Sequence, residues 1–180
     1  GGVLPGIDAQ LGPKFFVSAQ QDPGTDTFPG TPLERIQIIK GWIDNSGATH
    51  EKVFDVAGQA VSGLGVDPQS CEVTAKGAST LCTVWTDPEY AETESAFYYA
   101  RVLENPSCRW STRQCQAIGV NPLANNCSDQ LLAAREYAEE LGASPEAFDN
   151  CCKSAATEPF YSPVIRERAW TSPIWLQPPP

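Results

Sequence analysis

Residues 96–104 read Ala96-Phe-Tyr-Tyr-Ala-Arg-Val-Leu-Glu104, and they carry the strongest β-strand signal of the chain. Aromatic and β-branched side chains favour a strand because they fit a pleated, half-buried surface. The following Asn105-Pro106 closes the segment. Apolar side chains occupy both faces, and the odd-numbered face carries Phe97, Tyr99, Arg101 and Leu103. A strand of this kind is usually central in its sheet and covered on both sides.

A hairpin is predicted upstream of this strand. Residues 35–43 form its first strand, in which Ile36, Ile38 and Trp42 share one face by the two-residue period, with Lys40 between them. A turn at 44–47 leads to the returning strand at 50–56.

Two other strands complete the pattern, one at 14–19 and one at 164–176. Pro173 breaks the second, because a proline cannot donate a hydrogen bond to the ladder. Sixteen prolines and fourteen glycines divide the chain into short segments. Together these features predict a mainly β fold, an immunoglobulin-like β-sandwich.

The chain contains seven cysteines and a single histidine. No C-x-x-C pair is present, so zinc and iron–sulfur spacing is absent. We therefore predict disulfides made in an oxidising compartment, the periplasm or the outside of the cell. An odd count leaves one thiol free or bonded to another chain. The disulfide candidates are Cys71, Cys82, Cys108, Cys115, Cys127, Cys151 and Cys152.

One disulfide is predicted from strand register. Residues 71–74 and 80–85 flank a turn-like segment, and a two-residue loop at Lys76-Gly77 would place Cys71 opposite Cys82. Directly opposed residues lie about 4.5–5.5 Å apart at Cα, which a disulfide can bridge. This register requires Lys76 to adopt a positive φ.

Residues 115–160 are predicted to be a helical, cysteine-rich insertion into a β-module formed by 1–114 and 161–180. Ser128 is the predicted N-cap of a helix that ends before Gly142. A second short helix is predicted to start at Ser144-Pro145. The vicinal pair Cys151-Cys152 is expected to bond outward to two different cysteines; a strained ring between the two is the alternative.

Charge and hydropathy exclude several classes of function. The formal net charge is −10, which repels phosphate backbones and anionic membrane surfaces, so we expect no nucleic-acid partner. No apolar run approaches the roughly 20 residues that span a bilayer. The chain begins with Gly1 and contains no methionine. We therefore expect it to be a processed or excised piece of a longer protein.

The candidate binding residues are charged and aromatic. Arg101 lies among apolar strand residues and needs a partner, for which Glu167 and Asp55 are candidates. Two interpretations stay open: a structural ion pair, or arginines at 101 and 109 that hold an anionic group in a cleft of the parent protein. The tryptophans form either core and interface contacts or a carbohydrate-stacking platform. The candidate residues are Arg101, Glu104, Arg109, Trp110, Glu167, Arg168 and Trp170.

Other polar residues predict neither catalysis nor metal binding. His50 follows a turn, so we interpret it as an exposed turn histidine rather than a ligand or a base. The acidic runs at 22–26 and 87–94 lack EF-hand spacing and are typical of Asp-Pro turns. A cysteine nucleophile would need an activating histidine. We predict no catalytic residue, metal ligand or cofactor in this chain.

Seven segments, taken in order, resemble the C-terminal region of a large family of exported bacterial proteins of unknown function. The N-terminal part of such proteins is similar to PHP-type metal-dependent phosphoesterases and hydrolases. The segments are 13–17 (PKFFV), 35–42 (RIQIIKGW), 51–56 (EKVFDV), 84–88 (VWTDP), 96–104 (AFYYARVLE), 109–110 (RW) and 167–175 (ERAWTSPIW).

The resemblance implies architecture rather than activity. In that family the metal ligands belong to the N-terminal catalytic part, and none of those motifs is present here. The sequence departs from the family at Pro106-Ser-Cys-Arg-Trp110, where a Pro-Thr-Pro-like run is usual, and in its cysteine-bearing helical segment. We expect the chain alone not to be an enzyme, whereas its parent is expected to be a metal-dependent hydrolase.

Two functions follow as hypotheses. The first is a non-catalytic accessory module that packs on the N-terminal catalytic part of the same precursor. The second is an independent extracytoplasmic binding or assembly subunit. An exposed apolar face around Trp42, Trp85, Trp170 and Trp175 would indicate a partner interface.

Overall fold

A computed structural model describes residues 1–4, 12–153, 156 and 158–178. Within these ranges the strands are β1 (Val3–Leu4), β2 (Lys14–Gln20), β3 (Leu33–Ile43), β4 (Thr49–Gly58), β5 (Thr80–Thr86), β6 (Ser95–Glu104), β7 (Ser107–Cys108), β8 (Val164–Ile165), β9 (Arg168–Trp170) and β10 (Ile174–Leu176). The helices are α1 (Trp110–Ala117), α2 (Cys127–Glu140) and a 3₁₀-helix (Pro145–Cys152).

The main sheet has the order β1-β10-β6-β3-β4, and β9 also pairs with β6. β6 is central, as predicted: it is antiparallel to β3 on one side and to β9 and β10 on the other. The predicted hairpin is confirmed as β3 and β4, with Trp42 opposite His50. The predicted C-terminal strand is divided, because Pro173 separates β9 from β10 and both strands pair with β6.

A second, two-stranded sheet of β2 and β5 shares a core with the main sheet. Phe15 of β2 is 8% exposed and packs with Ile38, Tyr98 and Leu176, while Trp85 of β5 packs against the same cluster. The Phe15 and Tyr98 rings lie 4.8 Å apart. The mainly β class is therefore confirmed, and the immunoglobulin-like type of sandwich stays a prediction.

A buried ion pair lies among these apolar side chains. Lys40 Nζ is 2.7 Å from Asp87 Oδ2, and the two side chains are 2% and 0% exposed. Lys40 also donates to the carbonyl oxygen of Glu89 at 2.7 Å, and the Tyr98 hydroxyl donates to Asp87 at 2.8 Å. Burial, followed by the hydrogen bond to Asp87 and the Asp87 charge, raises the pKa of Tyr98, so the phenol stays protonated as a donor. The amphipathic pattern of β3 thus places a lysine in the core together with its partners.

The predicted Cys71–Cys82 disulfide is wrong. β5 pairs along its length with β2, which sets Cys82 opposite Ser18, and Val73 bridges to Val66 instead of joining a ladder with β5. Cys71 lies in a turn with φ 60° and bonds instead to Cys108. Cys82 is exposed and is the free cysteine of the described residues. β5 is thus ordered by a strand that lies 60 or more residues earlier in the chain, rather than by the local turn.

The chain divides into two compact units. The first contains 1–60, 76–105 and 167–180 and holds both sheets described above. The second contains 61–75 and 106–166, so the predicted insertion at 115–160 lies within it. No helix in the described ranges has the length and apolar character needed to cross a membrane.

The second unit is held by disulfides around a small core. Cys115 bonds to Cys151, and Cys127 to Cys152; the vicinal cysteines therefore bond to two different partners, as predicted. Val120 and Leu131 pack among these disulfides. The remaining disulfide of this unit, Cys71–Cys108, packs with Val66.

The helix ends of the second unit agree in part with the sequence. Gly142 has φ 68° just after α2, as expected of a C′ glycine, and Pro145 begins the 3₁₀-helix after Ser144. The predicted N-cap at Ser128 is wrong, because α2 begins at Cys127 with Asn126 in the capping position. The sequence did not predict α1, whose first residue is Trp110.

Candidate binding groove on the main sheet

The odd-numbered face of β6 lines an open groove of about 510 Å³, which we name the outer groove. Strand register explains its composition: β10 sets Trp175 beside Phe97, and β9 sets Trp170 beside Arg101. The outer groove is lined by Phe97, Tyr99, Arg101, Arg168, Trp170, Thr171, Pro173 and Trp175.

The connection between β9 and β10 positions both tryptophans. The Thr171 N–H donates to the Ala100 carbonyl oxygen at 3.0 Å, and the Ala100 N–H donates to the Thr171 hydroxyl oxygen at 3.1 Å. These two bonds tie the connection to the central strand. The flanking indoles therefore project from a segment that is fixed at its middle.

The aromatic side chains of the outer groove are well exposed. Trp170 is 64% exposed and Trp175 is 50% exposed. The Phe97 ring stacks on Tyr99 with an interplanar angle of 9° and lies 5.2 Å from the Trp175 ring. Phe97 covers Gly41, where a Cβ would come within 2.3 Å of the ring. A side chain at position 41 would therefore displace this ring.

Arg101 is oriented by a neutral acceptor. Its Nε and Nη2 donate to Gln37 Oε1 at 2.9 and 2.6 Å. The Gln37 amide nitrogen in turn donates to Asp55 Oδ1 at 2.7 Å. Within the described part of the chain, Arg101 forms no salt bridge with a carboxylate. Gln37 therefore fixes the guanidinium while leaving its positive charge uncompensated by direct contact.

A second cation, Arg168, lines the same groove and is exposed. None of the lining residues is an aspartate or a glutamate. The local charge is thus opposite in sign to the net charge of −10. A cleft lined by one sign of charge concentrates ligands of the other sign.

The predicted residues Glu104 and Glu167 lie at a neighbouring cavity of about 390 Å³, which Arg168 also lines. The Glu104 N–H donates to the Glu167 carbonyl oxygen at 3.0 Å. Burial, followed by the charges of Glu167 and Asp22, raises the pKa of Glu104 above its ordinary value of 4.5. The ionised form of Glu104 is therefore disfavoured by the folded state.

We expect E104Q to be more stable than the natural chain at pH 7, by up to about 1 kcal/mol after solvent screening. Because the pKa of Glu104 is higher in the folded state, its carboxyl contributes fully to stability below the unfolded-state pKa. This stabilisation is lost as the pH rises through the folded-state pKa, so the advantage of E104Q should grow with pH. Urea unfolding from pH 4 to 8 tests this expectation. The control is E136Q on the exposed face of α2; a gain that is the same at every pH would contradict it.

The predicted residues Arg109 and Trp110 belong to the second unit. Arg109 Nε donates to the Ser162 carbonyl oxygen at 2.7 Å, and Trp110 is 72% exposed at the start of α1. The structure therefore brings three of the predicted residues together around the outer groove: Arg101, Arg168 and Trp170.

His50 lies at an exposed hairpin end. Its Nε2 is 2.7 Å from Asp44 Oδ2. Hydrogen bonds from Ser46, His50 and Ala48 lower the pKa of Asp44, which keeps the turn carboxylate ionised. Among the described residues, no group of three or more His, Cys, Asp or Glu side chains could hold a metal ion.

The sequence suggested Glu167 and Asp55 as partners of Arg101 and did not suggest Gln37. Gln37 lies on the strand predicted at 35–43, but that strand was predicted to pair only with 50–56, and its pairing with residues 96–104 is a finding of the structure. Of the four tryptophans whose exposure would indicate a partner interface, Trp42 and Trp85 pack against the core, whereas Trp170 and Trp175 are exposed.

One protein-family model matches residues 1–141, and its description is "Protein of unknown function (DUF3604)". No curated protein matches the chain. No solved structure matches it either.

Proposed function

Since the chain belongs to the DUF3604 family of proteins of unknown function, we propose that it is a non-catalytic accessory module of a larger exported hydrolase. In this proposal the parent is a bacterial, PHP-related, metal-dependent enzyme, and this chain is its C-terminal part. The module has an immunoglobulin-like β-sandwich that packs on the catalytic part and opens the outer groove onto the substrate cleft.

The observation that carries the proposal is the uncovered face of β6. The even-numbered face is buried under β2 and β5, with Tyr98 only 1% exposed. On the odd-numbered face Phe97 and Tyr99 are only half-buried, and the neighbouring Trp170 of β9 and Trp175 of β10 are 64% and 50% exposed. A central strand with apolar side chains on both faces normally has both faces covered. A contiguous exposed apolar surface of this kind marks an interaction site.

The disulfides support a compartment outside the cytosol. Three of them are formed in the second unit, and such bonds persist in oxidising surroundings and are rare in the cytosol. This supports an exported location, periplasmic or extracellular.

The proposal is tested by the intact mass of the natively isolated material under non-reducing and reducing conditions, with sequencing of any companion chain. We expect a histidine-rich companion from the same precursor. When the two parts are made separately, I43A should weaken their association about tenfold, because Ile43 is 49% exposed on the same sheet face but lies outside the lining of the outer groove. The control is F16A, which removes an aromatic side chain that is 73% exposed on the outer sheet face of β2.

A second candidate is an independent binding or assembly subunit. It is favoured by the three disulfides and the separate core clusters, which are the features of a chain that is stable without a partner. A lone 19.4 kDa species with six oxidised cysteines and no companion would support this candidate and contradict the accessory role.

A further inference from the structure

We infer that the outer groove binds an extended oligosaccharide that carries a carboxylate, such as a glucuronate residue on a neutral sugar chain. The ligand would lie along the odd-numbered face of β6. The inference rests on the proposed function only for its setting, where the bound sugar would be presented to the catalytic part. Binding itself is a property of this chain.

Arg101 provides the recognition of the carboxylate. A guanidinium has five N–H donors in a planar fork that matches a carboxylate. Gln37 accepts from Nε and Nη2, and the described residues accept no further hydrogen bond from Arg101. The Nη1 group therefore remains available at the groove, in an orientation that the neutral amide already fixes. This preorganisation reduces the entropy lost when the ligand binds.

The two exposed indoles provide the sugar contacts. Trp170 is the register partner of Arg101, and Trp175 is the register partner of Phe97. Positions 97 and 101 are four residues apart, which corresponds to roughly 13 Å along a strand. Flat apolar rings pack against the C–H faces of sugar rings, and Trp and Tyr combine such an apolar body with a polar edge. Two such platforms at this spacing suit several linked rings better than a single one.

The openness of the groove argues against a compact small molecule. Pockets for drug-sized ligands bury about 70–90% of the ligand surface, whereas the tryptophans here are 64% and 50% exposed on an open sheet face. A peptide that adds a strand is disfavoured as well, because both edges of β6 are already paired. An elongated ligand lying across side chains agrees with both observations.

The charge of the chain favours a sparsely charged ligand over a polyanion. The groove lining carries Arg101 and Arg168 and no carboxylate, but the net charge is −10. Carboxylates beyond about 8 Å are screened at physiological salt. The nearer Asp55, which Gln37 links to Arg101, lies 3.3 Å from Arg35 Nε, so a carboxylate of the ligand is still attracted to the groove. A heavily sulfated chain would extend beyond the arginines and meet the acidic surface.

The experiment is a titration of the full chain with a xylo-oligosaccharide that bears one glucuronate. Calorimetry and amide NMR monitor the binding. The matched probe is unsubstituted xylotetraose. We expect the glucuronate-bearing sugar to bind at least tenfold more tightly and to shift residues of β6, β9 and β10. R101M should abolish this preference. W170A should weaken the binding of both sugars about tenfold or more.

Two controls keep the test independent of folding and of the proposed function. W110A removes an exposed tryptophan of the second unit and should leave the affinity unchanged. R101K keeps the charge but loses the fork, so it should retain only a small part of the preference. If R101M folds poorly, the affinities of W170A and R101K for the two sugars still test the inference.

Equal binding of both sugars, or no shift at the groove, would overturn the inference. So would a hexaglutamate peptide that binds with the same dependence on Arg101 while the sugars do not, because the groove would then be a protein-docking site. A missing companion chain would contradict only the accessory role. A companion without sugar binding would contradict only this inference.

Discussion

Replacement of Lys40 by methionine should lower the free energy of unfolding by about 3–5 kcal/mol. Methionine is close to lysine in volume, so the loss comes from charge rather than from a cavity. The side chain of Asp87 is fully buried, and without the ammonium its charge has no ionic partner. Equilibrium unfolding in guanidinium chloride at pH 7, followed by tryptophan fluorescence, measures the effect.

The matched control is Lys52 on β4. Its Nζ pairs with the Glu89 carboxylate, but the two side chains are 44% and 48% exposed, so K52M should cost less than about 1 kcal/mol. Y98F removes one neutral donor to Asp87 and should have an intermediate effect of about 1–3 kcal/mol. Equal losses for K40M and K52M would show that burial does not control the strength of this ion pair.

The second large effect is expected from the disulfides of the helical unit. C115A/C151A opens a loop of 36 residues, for which the chain-entropy relation gives about 4 kcal/mol. We expect hydrogen exchange to accelerate in α1 and α2. Amides of β3 and β6 should keep their protection, because their core cluster does not include these cysteines.

The control for this variant is C82S. Cys82 is exposed and forms no disulfide, so its replacement should change stability by no more than about 0.5 kcal/mol. Exchange that accelerates equally in the strands and in the helices would contradict the expectation, because the chain would then unfold as one unit.

Local pattern was sufficient for much of the secondary structure. The two-residue period of 35–43 and 96–104 identified the paired strands β3 and β6, and it placed Phe97, Tyr99 and Arg101 on one face. Gly142 and Ser144-Pro145 marked helix ends correctly, because positive φ and the missing proline N–H act within one turn. Of the candidate site, the sequence predicted Arg101, Arg168 and Trp170.

The remaining errors share a cause. The hairpin at 71–85 was predicted from its local turn alone. In the structure the partner of β5 is β2, which lies in a distant part of the chain. The same applies to Cys71, whose partner Cys108 is 37 residues away. Pairings of this kind depend on contacts between segments that are far apart in the chain. No short window of sequence contains both segments.

The sequence by itself determined that this chain is mainly β, acidic and rich in cysteines, and that Arg101 and its aromatic neighbours share one face of a strand. Those properties follow from side-chain period and composition, which are local. Only the tertiary structure decided that Gln37 holds Arg101, that two tryptophans from β9 and β10 stand beside it, and that this face is open. Register between distant strands sets the first two, because pairing across a sheet fixes which side chains become neighbours; the third depends on which elements of the chain pack over that face.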